Sequence, residues 1–198
     1  MDLLTTLFST GWASGVNAYA TVALLGILGR AGVGDVPEPL QSDPAIAAAS
    51  IMYLIEFVTD KIPYLDNVWD AIHTVVRPTI ASGIGAVYGV DADLDALDEA
   101  FAVGGSGATA LASHAVKAAI RLGINTSPEP ASNIIVSLAE DGAVAGVILL
   151  VVEHPVIAAV IAGVLLLAGV ALVVFIAKRV RRGLARWRER RRGPPPSI

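Results

Sequence analysis

Pro155 to Ala177 (PVIAAVIAGVLLLAGVALVVFIA) runs for 23 residues without a charge, and it restricts the chain more than any other feature. About 20 consecutive apolar residues cross the roughly 30 Å hydrocarbon layer of a bilayer, while a buried helix in a soluble core needs only 10–14 or so. The rest of the chain agrees, because 55% of its 198 residues are hydrophobic and 16% are charged. Soluble domains carry about 25% charged residues. The reading is an integral membrane protein of the all-α class, a polytopic bundle of about six segments. The chain has no cysteine, which excludes disulfides, thiolate metal sites and thiol nucleophiles.

The net charge of −4 separates into two opposite blocks. Residues 178–198 carry nine Lys/Arg against one acid, and residues 1–177 carry five against 17. The division expected is therefore a transmembrane bundle over 1–177 and a basic tail over 178–198. The basic block (KRVRRGLARWRERRR) follows directly on the last apolar run. The positive-inside rule then puts the C-terminus in the cytoplasm, at the inner (plasma) membrane, with the tail against anionic lipids. An arginine run beside a span reads as a topology signal, so no nucleic-acid partner is expected. Trp187 within it suits an interfacial anchor. Near the N-terminus, Ala18-Tyr19-Ala20 has the form of a cleavage site, but the only charge before it is Asp2. A signal peptide carries Lys or Arg there, so this segment reads as an uncleaved first span.

Hydropathy and chain breaks place spans at about 5–29, 44–61, 69–89, 100–122, 131–153 and 155–177, separated by Gly/Pro-rich, acidic or Pro-containing connectors. Six spans put both termini in the cytoplasm, with Lys61, Arg77, Lys117 and Arg121 towards that side and Arg30 outside. Asp70, His73, Arg77 and Pro78 crowd the first half of the third span. The alternative is therefore a re-entrant or broken third helix and five full crossings. Gly15–Thr21 (GVNAYAT) also lies over Gly107–Ser113 (GATALAS) at a separation of 92 residues. That alignment points to repeats over 5–90 and 100–177. Each copy has three spans, so the second would sit inverted in the membrane. Small-residue helices also resemble one another by chance.

Polar residues interrupt the spans in register. Thr10, Ser14, Asn17 and Thr21 share one face of the first span; Asn133, Ser137, Glu140 and Asp141 share one face of the fifth. Glu56 and Asp60 lie one turn apart in the second. His114, Lys117 and Arg121 share a face of the fourth, and Asp70, His73 and Arg77 repeat that spacing in the third. A polar group facing lipid costs several kcal/mol, so these faces point inward, and the first, second, fourth and fifth line the interior. The last span has no such stripe and faces lipid. Thr10 and Ser14 read as interhelical packing contacts. Gly26, Gly29, Gly83, Gly85 and Gly89 allow close packing, Lys61 snorkels to headgroups, and His154 belongs to a loop. The four acids Glu56, Asp60, Glu140 and Asp141 need partners or a purpose. Structural ion pairing with His73, Arg77, Lys117 or Arg121 is one explanation, and a cation or proton site is the other.

The segments Asn17-Ala-Tyr, Glu56-Phe-Val-Thr-Asp60-Lys61-Ile-Pro63 followed by Asp66, His73–Pro78 (HTVVRP), His114–Arg121 and Asn133–Asp141 resemble an uncharacterised bacterial membrane family. That family is known as domain of unknown function 4126. The likeness covers most of residues 5–170 and implies a membrane location without an activity. Glu-x-x-x-Asp-Lys is also similar, more loosely, to the Glu-x-Gly-Asp-Lys motif of a cation/proton exchanger family built from two inverted three-span repeats. The spacing here is one residue longer, the glycine is missing, and there is no second Asp-Lys.

The sequence contains no Gly-x-Ser-x-Gly, P-loop, dinucleotide fingerprint or His-Glu-x-x-His, so it names no enzyme and implies no cofactor. The leading reading is a small transporter or exchanger, for a divalent cation coupled to protons. Asp60 and Glu140 would be its principal ligands, and Glu56, Asp141 and Asn17 would complete the shell. Converging carboxylates would repel, so at least one should hold its proton unless a cation neutralises it. A second reading is a lipid-headgroup translocase or intramembrane enzyme, with His73, Arg77, His114, Lys117 and Arg121 on a phosphate. A third is a non-transporting assembly or partner protein. Asp70 and Asn133 complete the candidate charge-partner and anion-binding set.

Overall fold

A computed structural model of the chain describes residues 2–126 and 130–191, with side chains undescribed at Pro130 and over 184–191. It is all-helical: α1 (Leu3–Arg30), a short 3₁₀ turn (Glu38–Gln41), α2 (Asp43–Thr59), α3 (Leu65–Asp91), α4 (Ala96–Ile124), α5 (Pro130–Glu153) and α6 (Pro155–Arg191). Each expected span lies within one helix or overruns its end by at most two residues. The role expected of Trp187 lies outside the described side chains, and 192–198 lie outside the described residues.

α1 runs through the centre and touches every other helix, while α3 and α4 form the longest pairing. Small residues make that closeness possible. A Cβ on Gly11 would strike the Ser106 carbonyl, one on Gly15 would overlap Ser113 and the Ala110 carbonyl, and one on Gly85 would strike the Ala102 carbonyl. Without a hydrophobic force between helices in lipid, such close backbone approach is a main source of association. Gly26 and Gly29 do the same against Leu40, Gln41, Val36 and Ile46. Gly83 faces open space and Gly89 meets only Glu99 and Leu94, so neither is the close-packing position expected. The two segments of the apparent repeat pack on each other, Gly15 against Ala110 and Ser113.

Among the described residues, three helices are long and apolar enough to cross a bilayer: α1, α5 and α6. They mark a membrane-embedded protein. α6 exposes most of its apolar surface, as its lack of a polar stripe implies, with Val164 60% and Leu167 71% exposed. It continues past Ala177 to Arg191 as one 37-residue helix, about 56 Å at 1.5 Å per residue. The basic segment therefore begins as an extension of the last span.

The break in the bundle lies elsewhere than the sequence suggests. α3 is continuous through Pro78, whereas α1 is interrupted at Asn17, whose φ of −150° and ψ of 98° are extended. The crowding of charge in α3 reads as a disruption because the first half of the helix buries a polar face of Asp66, Asp70, His73 and Arg77, which gives way to Ala81, Ile84 and Gly85. Hydropathy carries no sign of the Asn17 break, since the residues around it are small and apolar.

Candidate functional site

The interruption in α1 releases backbone groups into the centre of the bundle. Asn17 caps the second half of the helix, its Oδ1 accepting from the Ala20 N–H at 2.9 Å. That N–H would otherwise serve the Val16 carbonyl, which instead accepts from Lys117 Nζ at 3.0 Å. The Gly15 carbonyl accepts from Arg77 Nη1 at 3.2 Å. The C-terminal end of a helix carries partial negative charge, so two cations at this end are favourably placed. Thr21 bonds back to the Asn17 carbonyl at 2.8 Å, which ties the two halves together.

Arg77, fully buried in α3, is the hub of what surrounds the break. Its Nη2 donates to Glu56 Oε1 at 2.7 Å and lies 3.2 Å from Asp70 Oδ1. Its Nη1 also donates to His114 Nδ1 at 2.7 Å. A guanidinium can only donate, so His114 carries its proton on Nε2. That N–H faces the Asp70 carbonyl at 3.0 Å and the Thr74 hydroxyl at 3.1 Å. His73, stacked on Trp69, donates from Nδ1 to the Trp69 carbonyl at 2.7 Å. Its Nε2 meets the Tyr19 hydroxyl at 2.9 Å.

The next two turns of α4 continue the network. Lys117 Nζ lies 2.6 Å from Asp60 Oδ2, 3.5 Å from Glu56 Oε1 and 3.7 Å from Glu140 Oε2. Arg121 pairs closely with Glu140 through Nη2 and lies 3.4 Å from Asp60 Oδ2. Its Nη1 donates to the Asp60 carbonyl at 2.6 Å. Asp141 sits apart, 3.3 Å from Asn17 Nδ2 and 3.9 Å from Lys61 Nζ. Lys61 itself turns inward, bonding Ser137 at 3.2 Å and the Phe57 carbonyl at 2.8 Å, with its ammonium over the Phe57 ring. This replaces the snorkelling expected of it: a carboxylate and a hydroxyl lie within reach. Thr10 likewise bonds the Thr6 carbonyl of its own helix at 2.8 Å and makes no interhelical hydrogen bond.

The sequence-derived residues thus meet at one place, but as alternating charges and not as a shell of carboxylates. Lys117 and Arg121 stand between Glu56/Asp60 and Glu140, because two positive charges one turn apart on α4 match the acids on both sides. Among the described residues, no three His, Asp or Glu side chains are grouped to hold a metal ion. Asp60 and Glu140 share two cations, while Asp141 and Asn17 pair with each other away from them. α3 supplies the hub, although the interior was expected to be lined by the first, second, fourth and fifth spans.

Two contributors were missed. Asp66 is fully buried. It accepts from Asn125 Nδ2 at 2.9 and 3.0 Å, from Asn133 Nδ2 at 3.3 Å and from its neighbour's backbone N–H at 2.7 Å. Arg121 Nη1 lies 3.8 Å from it. Extending the polar faces of α3 and α4 by one turn, from Asp70 to Asp66 and from Arg121 to Asn125, would have found both. Asn125 directly follows the last apolar residues of α4 and falls in the connector between the expected spans 100–122 and 131–153.

Six carboxylates (Glu56, Asp60, Asp66, Asp70, Glu140, Asp141) face four cations (Lys61, Arg77, Lys117, Arg121) in this network. Fully ionised, with both histidines neutral, it carries a formal −2. Glu56 Oε2, Asp60 Oδ1 and both Asp70 oxygens are buried without a hydrogen-bond partner. The arrangement can therefore accept a proton or a positive charge without becoming net positive.

The family model described as Domain of unknown function (DUF4126) matches residues 4–175. No curated protein and no solved structure matches the chain.

Proposed function

The chain belongs to the family of the Domain of unknown function (DUF4126), and we propose that it is a small secondary transporter in which a proton is the coupling ion. One observation carries this reading. A largely buried network in which six carboxylates face four cations, a formal −2, encloses the interruption of a central helix. Transporters place substrate and coupling-ion sites at such half-helix ends near mid-membrane. Arg77 is 12 residues into α3 and Glu140 ten into α5, about 18 and 15 Å along those helices, which fits a midplane site.

The orientation follows the charge asymmetry, with the α6 extension in the cytoplasm against anionic lipid. α3 and α4, with 27 and 29 residues, are long enough to cross as well. Their charges turn inward, while Val68, Ile72 and Val75 face out. Sharing of Asp60 and Glu140 between Lys117 and Arg121 speaks against a divalent cation as substrate, which would need several oxygens around one point. The phosphate-binding reading is weakened because Lys117 directs its three N–H groups to Val16, Glu56 and Asp60.

Proteoliposomes containing a pH-sensitive dye, challenged with a panel of inorganic and organic cations, test the proposal. At least one cation should drive proton movement in the native protein. Asp60→Asn and Glu140→Gln keep shape and remove charge, so each should abolish that movement while the protein still elutes as a folded species. No response across the panel, or an undiminished response in both variants, would overturn it.

A further inference from the structure

A cavity of about 330 Å³ lies between α1, α4, α5 and α6. α4 and α5 barely touch each other, and α6 closes part of the gap by seating Gly169 against Val116. The rim residues Ile135, Leu165 and Leu172 are exposed on the outer, lipid-facing surface, so the cavity is open sideways. Its lining is apolar except for Ser113, Lys117, Glu140 and the indole N–H of Trp12. The volume falls within the range of small-molecule sites, whose mostly apolar walls carry a few placed polar groups.

Those polar groups discriminate between kinds of ligand. Ser113 donates to the Trp12 carbonyl at 2.9 Å, and the three N–H groups of Lys117 serve Val16, Glu56 and Asp60. An anionic headgroup would find no free cationic donor on this wall, only the indole N–H of Trp12, and it would add to a network of formal charge −2. Glu140 differs from the other acids of the inner network. Its side chain is 16% exposed, against 0% for Glu56 and 4% for Asp60, and it lines the cavity. A positive group arriving from the membrane meets this carboxylate first, and its apolar body fills the space behind.

We infer that this cavity binds an amphiphilic monocation, a protonated amine on an apolar body, which reaches Glu140 laterally from the bilayer. This deepens the transport reading by naming its substrate class and rests on it: the amine would take the place of a proton on the network. No bond is made or broken beyond transfer of that proton.

The full chain in phosphatidylcholine nanodiscs, with empty nanodiscs as baseline, can be titrated with decylammonium, decanoate and decanol. Isothermal titration calorimetry reads binding without depending on the three tryptophans of the chain. Decylammonium should bind saturably and at least about tenfold tighter than decanoate. Glu140→Gln should weaken it by a similar factor. Ala139→Trp, which fills the cavity from α5, should weaken decylammonium and decanol alike without lowering the melting temperature. Equal binding of decanoate, or an unchanged affinity in Glu140→Gln, would overturn the inference and leave a groove for acyl chains. Decylammonium that binds as described but moves no protons in proteoliposomes would retain the site and refute coupled transport. Proton movement with other cations, and no decylammonium binding, would do the reverse.

Discussion

α4 and α6 are neighbours of opposite construction. α6 is apolar all round for its first 23 residues and is buried over only 11% of its most apolar window. α4 carries His114, Lys117 and Arg121 on one face, each no more than 4% exposed. An uninterrupted apolar run marks α6 at once, whereas α4 is drawn as a span only with the help of the chain breaks around it, yet α4 carries three of the buried polar groups at the centre of the bundle. The difference is directional. A sliding average counts charges without knowing where they point, and a helix that turns every charge inward can be as apolar outside as one that has none. The comparison therefore predicts a steep contrast in the consequences of substitution, and three perturbations test how steep it is.

The largest effect should come from the hub. Arg77 is the shared partner of Glu56, Asp70 and His114, so Arg77→Met leaves Asp70 buried with no cation paired to it and Glu56 with Lys117 alone, at 3.5 Å. Breaking a buried pair on one side costs about 3–5 kcal/mol, whereas replacing both partners by apolar residues is often neutral. Thermal unfolding in detergent should show Arg77→Met destabilised by about that amount, and Asp70→Leu/Arg77→Met distinctly less so. A double variant as unstable as the single one would mean that the pair itself, and not its imbalance, holds the fold together.

Much of this contrast was legible in the residues. The inward faces of α3, α4 and α5 follow from the spacing of Asp70, His73 and Arg77, of His114, Lys117 and Arg121, and of Asn133, Ser137 and Glu140. The bland outer surface of α6 follows from its uninterrupted apolar run. What was not legible depends on three-dimensional distance. Whether Glu140 meets Asp60 directly or across Lys117 depends on how far apart α2 and α5 stand, and no spacing within one helix encodes that. The interruption at Asn17 is equally silent, because a backbone departure at a small polar residue is stabilised by Arg77 and Lys117, 60 and 100 positions later. Asp66 and Asn125 are a different case. Their register was readable, and they were missed because the apolar signal stopped one turn before they did.

An intermediate effect should separate inner from outer glycines. A Cβ at Gly15 would overlap Ser113 and the Ala110 carbonyl, while at Gly142 it would meet open space. Gly15→Val must push α1 from α4 next to the helix break, and overpacking of this kind costs about 1–3 kcal/mol. It should also weaken the contacts of Lys117 and Arg77 with the α1 carbonyls, so proton movement should fall along with stability. Gly142→Val should change neither. Equal tolerance at the two positions would show that α1 and α4 are free to separate, and that the interior is less fixed than its burial implies.

The smallest effect is expected on α6, and it bears on what lies outside the chain. Leu167 is 71% exposed and Val164 60% exposed on the face turned away from α1, α4 and α5. If lipid covers that face, truncating Leu167 to Ala exchanges side-chain contact for acyl-chain contact, since lipid tails are about as apolar as leucine. Stability should then stay within about 0.5 kcal/mol of the native protein, the range of substitutions away from special features. A loss of about 2 kcal/mol or more would be the signature of a cavity left in a packed interface. It would mean that a protein surface covers α6, either a second copy of this chain or another membrane protein. Repeating the unfolding at tenfold higher detergent-to-protein ratio separates those origins from a lipid effect. A contact between copies weakens on dilution and lowers the native melting temperature, whereas a lipid-facing helix leaves it unchanged.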